Sequence, residues 1–264
     1  MKIIESFIKG KSKNQALCED RLVITDHFIA VIDGVTSKST RTWNGKAGGI
    51  AAAEAVCKAI ESFPKDITDQ VAIDLLTRAV ASLYSEGEEK GAAAAGVIIY
   101  SPYHNEIWSI GDCQCIINGK KHLHEKKIDV ILSQKRADFI RTAIENGASE
   151  EDFIKNDTGR ELILPEIKQQ HKFANVVCEL GYGVINGTNV PPNFIIKHQV
   201  NVGDEIVLAS DGYPILCDTL QESEYLLEKE LSENPLCYKN YKSTKGIKEG
   251  NLSFDDRTYI KFKI

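Results

Sequence analysis

Three apolar segments of this sequence each adjoin an aspartate, and this repeated pattern restricts the possible folds more than any other feature. The segments and their aspartates are 28–32 with Asp33, 205–209 with Asp211, and 258–262 with Asp255. Short apolar runs rich in Val, Ile and Phe predict buried strands. The fold must therefore accommodate carboxylates at the ends of buried strands.

A carboxylate in this position is costly unless another charge compensates it. Two carboxylates about 4 Å apart repel each other by about 4 kcal/mol at an effective dielectric constant of about 20. Divalent cations with oxygen ligands are the usual compensation. A single Asp-Gly is most simply a turn, because this dipeptide favours positive backbone angles. Three such aspartates, the first two without a nearby Lys or Arg, instead indicate a shared cation site.

Length and charge limit the domain count and the type of partner. The 264 residues can bury one sizeable core, and no repeat or linker divides them, so we expect a single domain over 1–264. The chain has 32 basic and 38 acidic residues and a net charge of −6. This balance disfavours nucleic acid or an anionic membrane as the main partner.

The N-terminal residues and the cysteines indicate the compartment. The first apolar stretch is short and is interrupted by Glu5 and Lys9, which excludes a signal peptide, and no run approaches the roughly 20 residues of a membrane span. Seven cysteines are an odd number, and several lie in apolar runs where a thiol packs as a small hydrophobe. We expect a cytoplasmic, reducing location and a monomer.

The predicted elements run from strands to helices and back to strands. Two helices precede Pro64 and Gly87, a three-stranded meander covers 92–118, and a further helix covers 133–146. Strands follow at 182–185, 194–198 and 205–209, and a capping box at Thr219 begins the last helix. Without βαβ alternation, this order predicts an α+β sandwich.

Two segments have no regular pattern. Residues 148–170 are polar and predict no definite element, while the lysine-rich residues 238–250 predict a mobile flap before the final strand.

Five short acidic motifs stand at predicted strand ends or turns. They are CEDR at 18–21, AVIDG at 30–34, IGD at 110–112, VLASDG at 207–212 and DDRT at 255–258. In this order and at these separations they resemble the metal-dependent Ser/Thr protein phosphatases of type 2C, the PPM family. The resemblance extends from the first strand to the last.

The resemblance implies a four-layer αββα sandwich with two antiparallel sheets and two Mg²⁺ or Mn²⁺ ions at one end. Matching the motifs implies that Asp33 bridges both ions and that the Gly34 carbonyl binds one of them. Asp211 and Asp255 would complete the other, and these three aspartates would be the catalytic ones.

Three further acidic residues have implied roles in the same site. Asp112 would help to hold a third, weaker ion. Asp20, with Glu19 beside it, would hold metal-bound waters. Oxygen ligands with open water positions suit Mg²⁺ or Mn²⁺ better than Zn²⁺.

The activity implied by the resemblance is hydrolysis of phosphoserine or phosphothreonine in a phosphoprotein by direct attack of a metal-bridging hydroxide. Two ions about 3.5–4 Å apart lower the pKa of a shared water and neutralise charge on the phosphoryl oxygens. No covalent phosphoenzyme is then required. A cysteine-nucleophile phosphatase would need an Arg six residues after a Cys, and none of the seven cysteines has one.

The sequence departs from the family pattern around the phosphate position. Val35 stands where some members have a histidine general acid, and Gln15 replaces the phosphate-binding arginine. The basic residues that could substitute for it are Lys13, Lys38 and Arg41. These changes leave an alternative open, namely a catalytically weak or inactive phosphatase-like domain that binds phosphoproteins or a regulatory partner.

Two other patterns indicate different chemistry only weakly. Cys113 and Cys115 with His122 and His124 could project zinc ligands from a hairpin, but packed thiols and exposed histidines are the common case. The glycines at 181, 183 and 187 lack the dinucleotide-binding spacing and indicate a turn-rich strand.

Overall fold

The structure, a computed structural model, describes residues 1–264 and contains ten strands and six helices. The strands are β1 (Lys2–Lys9), β2 (Arg21–Ile24), β3 (Ile29–Gly34), β4 (Ala95–Ser101), β5 (Glu106–Ile110), β6 (Gln114–Ile117), β7 (Lys120–His122), β8 (Ile196–Gln199), β9 (Glu205–Ala209) and β10 (Arg257–Lys263). The helices are α1 (Gly48–Glu61), α2 (Asp69–Ala81), α3 (Lys127–Glu145), α4 (Glu150–Lys155), α5 (Thr158–Gln169) and α6 (Leu220–Glu233).

The strands form two five-stranded antiparallel sheets. The first sheet has the order β1-β10-β9-β6-β7, and the second has the order β2-β3-β4-β5-β8. In the first sheet β1 pairs with β10, so that Lys2 lies opposite Lys263 and the two ends of the chain are neighbours.

The surroundings of strand β3 explain why the apolar segment 28–32 contains no polar residue. Ala30 and Ile32 face α1 and α2, whereas Ile29 and Val31 face the first sheet. All four side chains are fully buried. A strand that is covered on both faces lacks the alternation of a half-exposed strand, which explains its continuous apolar sequence.

The layers follow from three hydrophobic clusters. Helices α1 and α2 cover the outer face of the second sheet, the two sheets pack against each other, and α6 covers the outer face of the first sheet. This arrangement confirms the predicted α+β, four-layer αββα sandwich.

Helices α3 and α5 pack together and are tied to the segment 238–250 by one buried arginine. Arg136 is fully buried; its Nε and Nη2 donate to Asp157 Oδ2 at 3.0 and 2.6 Å. Its Nη1 donates to the carbonyls of Leu236 and Ser243 at 2.7 and 3.1 Å. The residues predicted to be a flap are therefore bound to the helical layer.

Some predicted elements differ from the observed ones. Helix α3 begins at Lys127, whereas the sequence predicted a start at residue 133. The prediction missed the first turns because their apolar residues Val130 and Ile131 are exposed and obscure the helical period. The polar segment 148–170, whose sequence predicts no definite element, contains α4 and α5. A capping box formed by Ser149 and Asp152 begins α4.

The predicted strand at 182–185 is wrong. In this segment only Tyr182 and Ile185 form isolated bridges, with Ala174 and Ala95 respectively. A single bridge at each end does not form a ladder, so the backbone between them is irregular.

Two global expectations concern membranes and disulfides. None of the six helices combines the length and apolar character that crossing a bilayer would require. All seven cysteines are free thiols, five of them buried.

Candidate active site

Three strand ends from both sheets meet at one cavity. Asp33 lies within β3 of the second sheet, Asp211 follows β9, and Asp255 precedes β10, the latter two strands being neighbours in the first sheet. All three carboxylates and Asp112, which follows β5, line a cavity of about 750 Å³. We call it the acidic cavity.

Two glycines permit the close approach of these strand ends. A Cβ on Gly34 would lie 2.5 Å from the Glu19 carbonyl oxygen, and one on Gly212 would lie 2.0 Å from the Asp256 carbonyl oxygen. Neither glycine has a positive φ. The Asp-Gly pairs are therefore required by backbone packing beside the cavity and not by a tight hairpin turn.

Asp33 and Asp211 form a carboxylate pair without a basic partner. Both side chains line the cavity and neither forms an ion pair, whereas Asp255 and Asp112 both do. Burial, followed by the neighbouring carboxylates, raises the pKa of both Asp33 and Asp211 well above the usual range. A positive charge between them would relieve this repulsion.

Asp255 has two ammonium partners. The Nζ atoms of Lys245 and Lys11 contact its two carboxylate oxygens, Lys11 at 3.4 Å from Oδ1. Although burial alone would raise the pKa of Asp255, these two lysines hold it below its usual range. Asp255 is therefore already neutralised by the protein's own charges.

Asp112 is neutralised in the same way. Lys126 Nζ lies 2.7 Å from Asp112 Oδ2; burial would lower the pKa of Lys126, but Asp112 and Asp129 raise it. With Asp255 and Asp112 directed to lysines, no three His, Cys, Asp or Glu side chains converge as ready-made metal ligands.

Glu19 and Asp20 lie behind the wall of the acidic cavity. Glu19 Oε2 accepts hydrogen bonds from Lys11 Nζ at 3.0 Å and from Thr36 Oγ1. Asp20 Oδ2 accepts from Ser210 Oγ at 2.7 Å and from Thr258 Oγ1 at 2.9 Å. Burial raises the pKa of Asp20 to about 8 despite these hydroxyl donors.

Asp256 is a structural residue that the sequence reasoning did not assign. Its carboxylate accepts from the Lys11 backbone N–H at 2.7 Å, from Lys11 Nζ at 3.0 Å and from the Glu19 backbone N–H at 3.1 Å. It therefore fixes the turn after β1 against the start of β10. The doublet Asp255-Asp256 was the available signal, since only one of its members could face the cavity.

The three basic candidates from the sequence occupy different places. Lys38 lines the acidic cavity; desolvation there, followed by the charges of Arg160 and Lys245, lowers its pKa to about 8. Arg41 also lines the cavity, but it pairs with Glu88 at 2.9 Å. Lys13 does not line the cavity.

Gln15 lies outside the acidic cavity, whereas Arg160, which the sequence did not indicate, lines it. Gln15 Oε1 accepts from the Gly10 backbone N–H at 2.8 Å, so its side chain braces a turn and lies outside the cavity lining. Arg160 of α5 lines the cavity, and its Nη1 donates to the Thr244 carbonyl. Sequence reasoning missed Arg160 because the polar segment 148–170 gave no helical period.

The alternative zinc ligands do not assemble into a site. Cys113 and Cys115 are buried between the two sheets. The rings of His122 and His124 instead pack against His198, with centroid distances of 4.3 and 6.0 Å. No three of these side chains are arranged to hold a metal ion.

Comparison with known proteins identifies the fold. No protein-family model and no curated protein matches the sequence. Among solved structures, the Mycobacterium tuberculosis serine/threonine phosphatase PstP/Ppp is 16% identical, with 99% of both chains covered and a TM-score of 0.53. The catalytic domain of PstP in complex with 2 manganese ions is 15% identical, with 99% of this chain and 98% of that chain covered and a TM-score of 0.52.

A third similar structure comes from another genus. The serine/threonine phosphatase of S. agalactiae is 13% identical, with 98% of each chain covered and a TM-score of 0.51. The chain therefore has the fold of the PPM Ser/Thr phosphatases over nearly its full length, in a strongly divergent sequence.

Proposed function

We propose that the chain is a divalent-metal-dependent phosphatase that hydrolyses phosphoserine or phosphothreonine in proteins. The observation that carries this proposal is the Asp33–Asp211 pair, which is half-buried on the wall of the acidic cavity and has no basic partner. Such a pair is strongly disfavoured in the ionised form unless a cation lies beside it. The phosphatase fold and the manganese complex of a structural neighbour give independent support.

The donor atoms at this pair fit a hard cation. Asp33, Asp211 and the carbonyl of Gly34 would hold Mg²⁺ or Mn²⁺ through oxygen, as these ions prefer. Asp255 and Asp112 are the carboxylates that would hold further ions. When bound, a cation here would activate water for attack on phosphorus and neutralise charge on the phosphoryl group.

The chain's own basic residues would bind the phosphate. Lys38 and Arg160 line the acidic cavity, and a lysine whose pKa is about 8 is still mainly protonated at neutral pH. The guanidinium of Arg160 would supply a directional donor to phosphate oxygens, with Lys38 as a point charge. A cavity of about 750 Å³ has room for a phosphorylated side chain and adjoining residues.

A second candidate function is a catalytically weak or inactive domain that binds phosphoproteins or a regulatory partner. The observation that favours it is the lysine contacts on Asp255 and Asp112. Under this alternative, the basic residues of the cavity would bind a phosphate group that the protein does not hydrolyse.

Hydrolysis of p-nitrophenyl phosphate in the presence of Mn²⁺ distinguishes the two functions. We expect activity that is removed by EDTA and reduced about a hundredfold or more in Asp33→Asn and in Asp211→Asn. Asp26→Asn is the matched control, because Asp26 is exposed in the turn before β3; this variant should retain wild-type activity. A wild-type rate equal to that of the two cavity variants under saturating Mn²⁺ would refute catalysis.

A further inference from the structure

Two lysines contact Asp255 where a cation would be expected. Lys245 Nζ contacts Oδ2, and Lys11 Nζ lies 3.4 Å from Oδ1. Lys11 also lies 3.0 Å from both Glu19 Oε2 and Asp256 Oδ2. Each ammonium carries one positive charge and up to three donors, so the two together supply the charge of one divalent ion.

The backbone around Lys245 is anchored on both sides, so the contact with Asp255 is built into the fold. Arg136 donates to the Ser243 carbonyl at 3.1 Å, and Arg160 donates to the Thr244 carbonyl. On the other side, a Cβ on Gly246 would lie 2.7 Å from Leu236 Cα. The backbone at Lys245 is therefore already ordered, and only the rotamers of its side chain remain to be fixed when it binds Asp255.

Asp33 and Asp211 have no comparable partner, which makes the cavity asymmetric. Lys245 lines the same cavity but forms its ion pair with Asp255 and none with Asp33 or Asp211. The uncompensated negative charge of the cavity is therefore concentrated at the Asp33–Asp211 pair.

We propose that Lys245, backed by Lys11, is a tethered cation that takes the place of a second divalent ion beside Asp255. One divalent ion then binds tightly at Asp33 and Asp211, and a second binds only when Lys245 leaves Asp255. This proposal rests on the metal-dependent function above and specifies the charge composition of the same site.

Competition of this kind is reciprocal. A divalent ion that needs the Asp255 carboxylate must displace the ammonium, and a variant without the ammonium must bind that ion more tightly. Lys245→Met removes the charge and keeps most of the length of the side chain, whereas Lys245→Arg keeps the charge. Lys248 is exposed in the same segment and forms no ion pair, so Lys248→Met is the matched control.

Calorimetric titration with Mn²⁺ measures the number and affinity of the ions directly. We expect one tight site in the wild type, in Lys245→Arg and in Lys248→Met, and a second site in Lys245→Met that is tighter by about tenfold or more than any second site of the wild type. Two equally tight sites in the wild type, unchanged in Lys245→Met, would overturn the proposal.

Lysine labelling tests the same point in the unmodified protein, which covers the case that Lys245→Met does not fold. An amine-reactive reagent is added over a series of Mn²⁺ concentrations, and labelling of Lys245 is compared with that of Lys248 by mass spectrometry. We expect the relative labelling of Lys245 to rise only at concentrations above those that fill the tight site. Relative labelling that does not change with Mn²⁺ would overturn the proposal.

The binding and activity measurements can refute the tethered cation and the catalytic function independently of each other. If the expected binding pattern is found without Mn²⁺-dependent hydrolysis, the tethered cation is supported and the catalytic function is refuted. If the wild type hydrolyses phosphate esters with Mn²⁺ but binds two ions equally tightly, the catalytic function is supported and the tethered cation is refuted.

Discussion

The four aspartates of the acidic cavity are all half-buried but differ in how their charge is compensated. Asp255 and Asp112 are paired with lysines, whereas Asp33 and Asp211 are left facing each other. Coulombic repulsion at such short range is several kcal/mol at the effective dielectric of a protein. In the proposed cation site, the lysines therefore matter as much as the carboxylates.

Gly212, beside the acidic cavity, has no room for a side chain. We predict that Gly212→Ala lowers the free energy of unfolding by at least about 2 kcal/mol, because the new Cβ would lie 2.0 Å from the Asp256 carbonyl oxygen. The backbones that carry Asp211 and Asp255 would have to separate. Urea denaturation measures the loss.

Gly10→Ala is the control for this substitution. A Cβ on Gly10 would meet side-chain atoms of Cys18 and Gln15 no closer than 3.3 Å, so its loss of stability should be less than half as large. Equal stability of Gly212→Ala and the wild type would show that the two backbones do not pack as described.

At this scale the sequence predicted the acidic residues but not their partners. Asp33, Asp211 and Asp255 could be recognised because each adjoins an apolar run. Lys11 and Lys245 could not, because they come from the turn after β1 and from the segment before β10, and only the folded chain brings both to Asp255. Ion pairs between residues that are distant in the sequence do not produce a periodic pattern from which they could be predicted.

Helix α6 is tied to the first sheet by a cluster of polar contacts beside the hydrophobic one. Glu224 of α6 accepts from Arg257 Nε and Nη2 of β10 at 2.6 and 2.7 Å and from Tyr213 Oη at 2.8 Å. Although burial would raise the pKa of Glu224, the hydrogen bonds and charge of Arg257 and the hydrogen bond from Tyr213 together outweigh it and hold the pKa below its usual range.

This contact predicts how α6 docking depends on pH. A carboxyl whose pKa is lower in the folded state stabilises the fold above its unfolded pKa, and the contribution is lost as the pH falls through the folded pKa. The free energy of unfolding of the wild type should exceed that of Glu224→Gln by about 1–3 kcal/mol at pH 7. The difference should shrink below the usual glutamate pKa of about 4.3.

Urea denaturation at a series of pH values measures this difference. Glu228→Gln is the control, because Glu228 is exposed on the same helix, and it should match the wild type within about 0.5 kcal/mol at every pH. A difference between the wild type and Glu224→Gln that is independent of pH would show that the Glu224 charge does not hold α6 to the sheet.

Among the elements, the strands were easier to predict than the helices that flank the cavity. Strands β3 and β9 are continuous apolar runs, whereas the exposed Val130 and Ile131 hide the start of α3. Helices α4 and α5 lie in a segment with few apolar residues, and the observed caps at Ser149 and Asp157 show where they begin. Their packing depends on Arg136, which no amphipathic pattern reveals.

At the scale of the whole molecule, the two sheets bring the strand ends that carry Asp33, Asp211 and Asp255 together. Strand β3 belongs to one sheet and β9 and β10 to the other, so the acidic cavity forms only when the sheets pack face to face. Element order alone predicted an α+β sandwich, and the resemblance in the motifs predicted its four layers. The closed geometry at the cavity could not be predicted, since it depends on backbone contacts at Gly34 and Gly212.

The most direct test of the cation site in this folded arrangement is the melting temperature as a function of Mn²⁺ concentration. A ligand that binds only the folded state stabilises it by about 2.7 kcal/mol at a hundredfold excess over its dissociation constant, which corresponds to a rise of roughly 5–10 °C for a chain of this size. We predict this rise for the wild type and its absence in Asp33→Asn. A rise of equal size in Asp33→Asn would contradict the claim that the Asp33–Asp211 pair holds the cation.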